Sequence, residues 1–482
     1  MVVVSACRIQ DGVVNNMLAR SRSRFLLAVS LSRYARLGLA ALCFFAIGLL
    51  WWLLAGAPSA DKILGVYSTR KFVALVAVSY AFLWGVYFAL SREASRGKVI
   101  NATVSTVSLV MVIGILELPA LLGILDYRLI ISPPQSAVFT KIKPWEDPRN
   151  RLDRELVHIC RPNQKIVGET IGDLVPWLRI TTDRHYQIDA QYDSNGFRND
   201  HEITEAPIIT LGDSFLEAAL VPQNALLTTQ MSQLLQAEVA NLGQSGYGPQ
   251  QELIVLRRYG LPLQPKVVVW LFFEGNDLLD VPRYERLMRD WDAYLRETHG
   301  FRERSFTGNV LSALTYLTAP KPATGAADGD EARRRSCHLM GGRSEEGKTI
   351  YFAYTGTPLS PEDLTSLATA QQVFLDAQRL AADNGAHLLL AFTPTKFRVY
   401  HGFCEFPADG YGRVWQPNDL PERLAAWAKA QGIAYLDLTP PLKEAAAQGE
   451  LVYFPDDGHW NAAGHEVVAR AIAGFIQSNG WR

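Results

Sequence analysis

The chain lacks a charge excess of either sign: 47 lysines and arginines stand against 48 aspartates and glutamates, a formal net charge of −1. Without a basic surplus to neutralise phosphates, no nucleic-acid partner is expected. Cysteine is sparse as well. The five present include no Cys-x-x-Cys pair and no zinc-type spacing with histidine, so no metal is expected, and no motif calls for a cofactor. His459 and His465 stand too far apart to share adjacent helical turns, and His465 is expected to decorate the start of the last helix. Disorder is excluded in turn, because 48% of the residues are hydrophobic. At 482 residues at least two structural parts are expected.

What is there is unevenly spread. Residues 37–56 and 72–90 are uncharged apolar runs of about the ~20 residues that cross a bilayer core. A third run, 100–125, is weaker, interrupted by Asn101 and Glu117 and kinked near its end by Pro119. Glu117 is read as reaching the interface or pairing with another helix, with an intramembrane functional carboxylate as the sharper reading. Arg20, Arg22, Arg24, Arg33 and Arg36 precede the first run, and Arg92, Arg96 and Lys98 lie between the second and third, against Lys62, Arg70 and Lys71 in the first loop. This bias predicts a cytoplasmic N-terminus. With three spans of an inner membrane, everything beyond about residue 130 is periplasmic, and a failure of the third span would reverse that side. A cleavable signal peptide fits poorly with a long first span followed at once by a second. Met17 is an alternative start. Cys160, Cys337 and Cys404 fall in the presumed periplasmic part and permit one disulfide, the pair left open, while Cys7 and Cys43 lie on the cytoplasmic side and in the first span.

Residues 131–206 are polar and Pro-containing, with short alternating stretches such as Tyr186 to Tyr192, and are expected to pack as an extended preamble on the part that follows. From residue 207 apolar strands (207–211, 239–242, 267–273, 387–392, 434–438) alternate with helical patterns (225–235, 250–259, 361–384, 419–431, 461–478). Such alternation implies an α/β domain over 207–482, a parallel sheet covered by helices on both faces. The irregular stretch 281–348, with Ala319 to Asp330 and then Arg333-Arg334-Arg335, reads as a mobile insertion, a solvated surface loop or a lid. In a 2-1-3-4-5 strand order ligands bind at the switch point beyond the carboxyl ends of the first and third strands. Three stretches fall there: Gly212-Asp213-Ser214, Asn241 to Gly248, and Glu274-Gly275-Asn276-Asp277.

Acyl transfer from an ester needs a nucleophile, a base, a group that orients the base, and donors for the oxyanion. Ser214 supplies the hydroxyl, His459 the base, and Asp456, three residues earlier, the orienting carboxylate. The backbone N–H groups of Ser214 and Gly246 and the side-chain amide of Asn276 are the candidate oxyanion donors. Asp213 and Asp277 are assigned local turn hydrogen bonds. Arg198, Lys396 and Tyr400 are candidates for substrate contact or for structural ion pairs and packing.

These four blocks resemble the SGNH hydrolases, also called GDSL-type esterases and lipases: Gly212-Asp213-Ser214-Phe215, Asn241 to Gly246, Gly275-Asn276-Asp277, and Asp456-x-x-His459 followed by Trp460-Asn461. They stand in the family's order across 207–482. The resemblance implies a flavodoxin-like three-layer α/β/α domain, here behind the N-terminal helical transmembrane region read from the apolar runs, no metal, Ser214 as nucleophile, Gly246 and Asn276 as oxyanion donors, and Asp456 with His459 as orienter and base. Ser194 to Arg198 resembles a segment of a membrane-tethered bacterial branch of that family. Phe215 replaces the leucine of the family's name, Asp457 competes with Asp456 as orienter, and the Gly-x-Ser-x-Gly elbow of the larger α/β-hydrolases is absent.

The leading expectation is a membrane-anchored serine esterase removing acetyl or similar short acyl groups from an envelope glycan. One alternative is an O-acetyltransferase acting on a polysaccharide, served by a separate membrane partner that delivers acyl groups, because three spans are few for a complete acyl channel. Another is a noncatalytic glycan-binding or assembly module.

Overall fold

The computed structural model describes residues 33–57, 59, 62–131, 147, 149–318, 329–340, 349–354 and 356–481. Cys7, Met17, Arg20, Arg22, Arg24 and residues 319–328 of the insertion lie outside them. The chain divides into two compact units, Met1–Leu118 with Leu314–Pro320, and Pro119–Ala313 with Lys321–Arg482.

In the first unit three helices, Arg33–Leu54, Thr69–Leu90 and Ser95–Leu121, are long and apolar enough to cross a membrane. Their polar groups find partners close by, as helices in hydrocarbon require. The Trp51 indole donates to Ser79 Oγ at 3.0 Å, and the Asn101 amide donates to Tyr87 Oη at 2.9 Å and Glu93 Oε2 at 2.8 Å. The third helix continues through Pro119, which falls in its last turn. The loop after the first helix meets the end of helix Phe306–Thr318, where Leu64 N–H donates to Thr318 Oγ1 at 2.6 Å.

The second unit opens with two antiparallel hairpins, β1 (Asn150–Asp153) with β2 (Val157–Cys160) and β3 (Lys165–Thr170) with β4 (Tyr186–Gln191). The short helix Leu174–Leu178 sits between β3 and β4. A parallel five-stranded sheet follows, built from β5 (Ile208–Leu211), β6 (Val239–Asn241), β7 (Val267–Phe273), β10 (His387–Thr393) and β12 (Ala434–Asp437) in the order β12-β10-β7-β5-β6. This is the expected 2-1-3-4-5 arrangement with β5 and β7 at the switch point. Strand alternation divides the core. Val267, Val269, Leu271 and Phe273 pack with Val468, Ile472 and Ile476 of the C-terminal helix Ala462–Ser478, while Val268, Trp270 and Phe272 pack with Phe374 and Ala377 of helix Pro361–Asp383. Both faces of every central strand are buried, which is why these strands read as unbroken apolar runs.

The irregular connection differs from the expectation of a mobile loop. Up to residue 318 it is helical, in the segments Asp277–Arg289, Trp291–Thr298, Phe301–Arg304 and Phe306–Thr318. The helix Asp277–Arg289 is polar, but Trp291–Thr298 and Phe306–Thr318 carry apolar residues at helical spacing that the loop reading passed over. The arginine triplet is a surface feature, with Arg333 and Arg334 paired to Asp409 and Arg335 to Glu331. A small antiparallel sheet, β11 (Cys404–Glu405), β8 (Ser336–Leu339) and β9 (Thr349–Tyr351), closes this side, and Cys337 and Cys404 form the disulfide across it. Cys160 is a buried free thiol.

Candidate active site

The turn after β5 gives Ser214 its position. Asp213 caps the four-residue helix Ser214–Glu217, its Oδ1 accepting the Phe215 N–H at 2.9 Å. The far end of that helix is held by the fully buried guanidinium of Arg198, which donates to the carbonyls of Glu217, Ala218 and Val221. Arg198 is therefore structural, the second of the two roles open to it. The stretch around it serves the same end, since Asn199 exchanges hydrogen bonds with the backbone of Asn241 on β6, both at 3.0 Å. Buried Glu217 ties the next turn down, accepting from Tyr192 Oη at 2.5 Å and Ser245 N–H at 2.6 Å. Neither Asn199 nor Glu217 carries a sequence signal, because each acts through a partner distant in the chain.

His459 reaches Ser214 from the loop before the last helix. Its Nε2 lies 2.8 Å from Ser214 Oγ, and its Nδ1 lies 2.7 Å from Asp457 Oδ1. A carboxylate only accepts, so Nδ1 carries a proton, and in the neutral ring Nε2 is the nitrogen free to accept from the serine. This corrects the assignment of the orienting carboxylate. Asp456 points away, its Oδ1 taking the hydroxyl of Tyr186, and Asp457 faces the ring. The reason is local: Asp457 Oδ1 also accepts the His459 N–H at 2.9 Å, an Asx-type turn that folds the carboxylate onto its own i+2 residue. Asp-x-His was legible in that sense, but the family spacing drew attention to the residue before it.

Asp173, from the segment between β3 and helix Leu174–Leu178, joins this pair. Its N–H donates to Asp457 Oδ2 at 2.9 Å, its Oδ1 accepts the Gly458 N–H at 2.8 Å, and its Oδ2 lies 4.0 Å from His459 Nδ1. Nothing in the sequence pointed to it. Asp173, Asp457 and His459 are the only described set whose ligand-type atoms lie within 4.8 Å of one another. With Nδ1 and Asp457 Oδ1 already engaged with each other, the set is a hydrogen-bonded relay before it is a metal cage.

Gly246 sits at φ +78°, a left-handed turn that suits glycine. Among the described residues, no protein acceptor takes the backbone N–H of Ser214 or of Gly246. The Asn276 amide donates to Asp280 Oδ2 at 2.7 Å and lies beside the Asp213 carboxylate, on the serine side of the cleft. Asp277 Oδ2 accepts the Phe273 N–H at 2.8 Å, a local role as expected. Lys396 is buried, its Nζ donating to the carbonyls of Tyr351, Phe454 and Pro455, and Tyr400 donates to the Glu450 carbonyl and accepts from Val452 N–H. Both hold the framework behind the histidine loop. His465 lies inside the last helix with Nδ1 accepting the Leu227 N–H at 3.0 Å.

The electrostatics fit a strong base. Burial pulls His459 down, but the Asp457 charge and hydrogen bond, helped by Asp173 and Asp213, outweigh it and leave its pKa at about 9. Burial pushes Asp457 up, yet the histidine charge and the bonds it accepts hold it well below the usual carboxylate range. Burial lowers Lys396 to about 8, against the carboxylates Asp457, Asp173 and Asp456.

Residues 352–481 match a family described as "SGNH hydrolase-like domain, acetyltransferase AlgX". The chain is 35% identical over 92 residues to the "Probable alginate O-acetylase AlgJ" of Pseudomonas putida, covering 19% of this chain and 22% of that protein. It is 32% identical over 132 residues to the protein of the same name in Azotobacter vinelandii, covering 25% and 32% respectively. The matched stretches thus span less than a third of either relative. Among solved structures, a GDSL-like lipase from Bacteroides thetaiotaomicron is similar at 14% identity over 58% of this chain and 92% of that one, with a TM-score of 0.28. A catalytic mutant of an acetylxylan esterase from Geobacillus stearothermophilus is similar at 12% identity over 58% and 98%, with a TM-score of 0.30.

Proposed function

We propose, for a chain whose residues 352–481 match an SGNH hydrolase-like family, an acyl-transfer enzyme that carries acetyl or a similar short acyl group as a Ser214 ester and passes it to a hydroxyl of an envelope polysaccharide. The observation that carries this reading is the continuous line from Asp457 through His459 to Ser214, with contacts of 2.7 and 2.8 Å. His459 Nε2 takes the serine proton as Oγ attacks the acyl carbonyl, then returns it to the departing group. The N–H groups of Ser214 and Gly246 and the Asn276 amide receive the oxyanion, each such donor being worth about 3 kcal/mol in the transition state. An acceptor hydroxyl, deprotonated by the same histidine, then releases the acyl group as a new ester.

Sequence alone favoured hydrolysis and held transfer as the alternative. The likeness to a family described as an acetyltransferase, and to relatives named as alginate O-acetylases, favours transfer. It also favours an acidic polysaccharide of the alginate kind as acceptor. The three apolar helices support membrane anchoring, and the basic flanks favour an extracytoplasmic catalytic part; in this reading a separate membrane partner delivers acyl groups.

The test uses the full chain in detergent, p-nitrophenyl acetate as donor, alginate oligosaccharides as acceptor, and a serine-reactive fluorophosphonate, alongside Ser214→Ala. Labelling, slow acetate release and acetylated oligosaccharide by mass spectrometry are expected of the wild type. Absence of both labelling and turnover would sink every enzyme reading, and acetate release indifferent to acceptor would return the assignment to hydrolysis.

A further inference from the structure

We infer that Asp173 is a second carboxylate of the relay, a positioning residue that locks the Asp457–His459 pair and shares the charge of the imidazolium as Ser214 is acylated. This rests on the acyl transfer proposed above and extends it to a residue outside every block that the sequence offered.

The contact is reciprocal. The backbone of Asp173 binds the carboxylate of Asp457, and the carboxylate of Asp173 binds the backbone of Gly458, at 2.9 and 2.8 Å across 284 and 285 residues of chain. Leu174 N–H adds a bond to the Asp456 carbonyl at 3.3 Å. The approach is so close that a Cβ on Gly172 would stand 2.1 Å from the Asp456 carbonyl oxygen. Leu174, Val175 and Leu178 anchor this segment in a small core with Ala332 and Tyr351. From the other side Lys396 holds the carbonyls of Phe454 and Pro455. The loop carrying Asp457 and His459 is thus gripped between two fixed elements, and one of them comes from the stretch before the sheet.

Orientation alone would not need a carboxylate, since the amide oxygen of asparagine accepts a backbone N–H equally well. The other oxygen decides it. Asp173 Oδ2 lies 4.0 Å from Nδ1 with its side chain 40% exposed, close enough to act on the ring's charge and not itself bonded to it. The charged or titratable groups around His459 are Asp457 on its own loop, Asp213 from the serine turn and Asp173; Lys396 faces Asp457 and Asp173, and Tyr354 faces Asp173. Burial and the neighbouring Asp457 charge push Asp173 up to about 7, so above that pH it adds a second negative charge that favours the protonated ring, the state His459 passes through in each half-reaction.

The experiment compares the full-length wild type with Asp173→Asn, Asp173→Ala and Asp173→Glu, reading fluorophosphonate labelling and the pH dependence of kcat and kcat/KM for p-nitrophenyl acetate. Asp173→Asn keeps an acceptor for Gly458 and removes only the charge. It should lower kcat by about tenfold with KM unchanged, and move the acid limb of the profile to lower pH. Asp173→Ala should lose about a hundredfold in kcat, and Asp173→Glu should keep the wild-type limb. An Asp173→Asn profile that superposes on the wild type would overturn the inference, as would a fall in kcat with the limb unmoved, which is the mark of a purely structural clamp. A wild type that neither labels nor turns over would remove the acyl-transfer reading itself, an outcome distinct from active wild type with indifferent variants.

Discussion

Two adjacent aspartates with opposite assignments are the sharpest test of the site at the scale of single residues. Asp457→Asn should cost kcat about 10⁴-fold, because the amide carries no charge for the imidazolium and can turn its NH2 to Nδ1, fixing the wrong tautomer. Asp456→Asn, whose carboxylate meets Tyr186 and not the histidine, should cost far less in kcat, and steady-state kinetics on a chromogenic ester separates the two. The base must be neutral to accept a proton, so a histidine raised to about 9 predicts that kcat/KM climbs through the neutral range and levels only on the alkaline side. A profile with an ordinary histidine limb would contradict the pairing. The same shift has a stability counterpart. His459 is raised in the folded state, so its contribution is present below its unfolded pKa and is lost as pH rises through about 9. Asp457 is depressed, so its contribution is lost as pH falls below the usual carboxylate range. The sequence could single out Ser214 and Asn276 because each stands where a helix follows an apolar strand, and Gly246 and His459 because each lies in a loop near such an end. Asp173 was not legible, because its meaning comes entirely from a neighbour 284 residues away.

Elements show how the small turns are held. The disulfide Cys337–Cys404 closes 67 residues of chain and ties β8 to β11. Removing it with Cys404→Ser should destabilise the second unit by about 4 kcal/mol, seen as a lower thermal midpoint that reductant no longer shifts. Three candidate cysteines left that pairing open in sequence, and only the antiparallel register of β11 with β8 brings these two together. The helices of the insertion went unread because the Pro- and Gly-containing stretch 319–330 marked the whole connection as loop, although Trp291–Thr298 and Phe306–Thr318 carry an apolar period. Gly172→Ala should lower turnover while leaving the sheet intact, because the added methyl would displace the Asp456 carbonyl and with it the histidine loop. Circular dichroism alongside activity separates that displacement from unfolding.

For the whole molecule, the consequential question is where the α/β part lies and how much of the chain it needs. Basic residues flanking the apolar helices predict that a reporter active only outside the cytoplasm, fused after residue 150, is active in cells. Silence of that fusion would reverse the assigned side. Because Arg198, Asn199 and Asp173 all precede β5 and brace the serine and histidine loops, a chain beginning at residue 147 should still react with the fluorophosphonate, while one beginning at residue 207 should not.

By itself the sequence determined the alternation of strands and helices, the three apolar runs, and the candidate nucleophile and base in the loops beside them, since burial period and turn chemistry are written locally. The tertiary structure decided which aspartate faces the ring, which cysteines pair, and that the stretch before the sheet packs against the serine and histidine loops. Those outcomes depend on hydrogen-bond geometry between segments hundreds of residues apart, where a carboxylate's role is set by the donor that reaches it and not by its place in the chain.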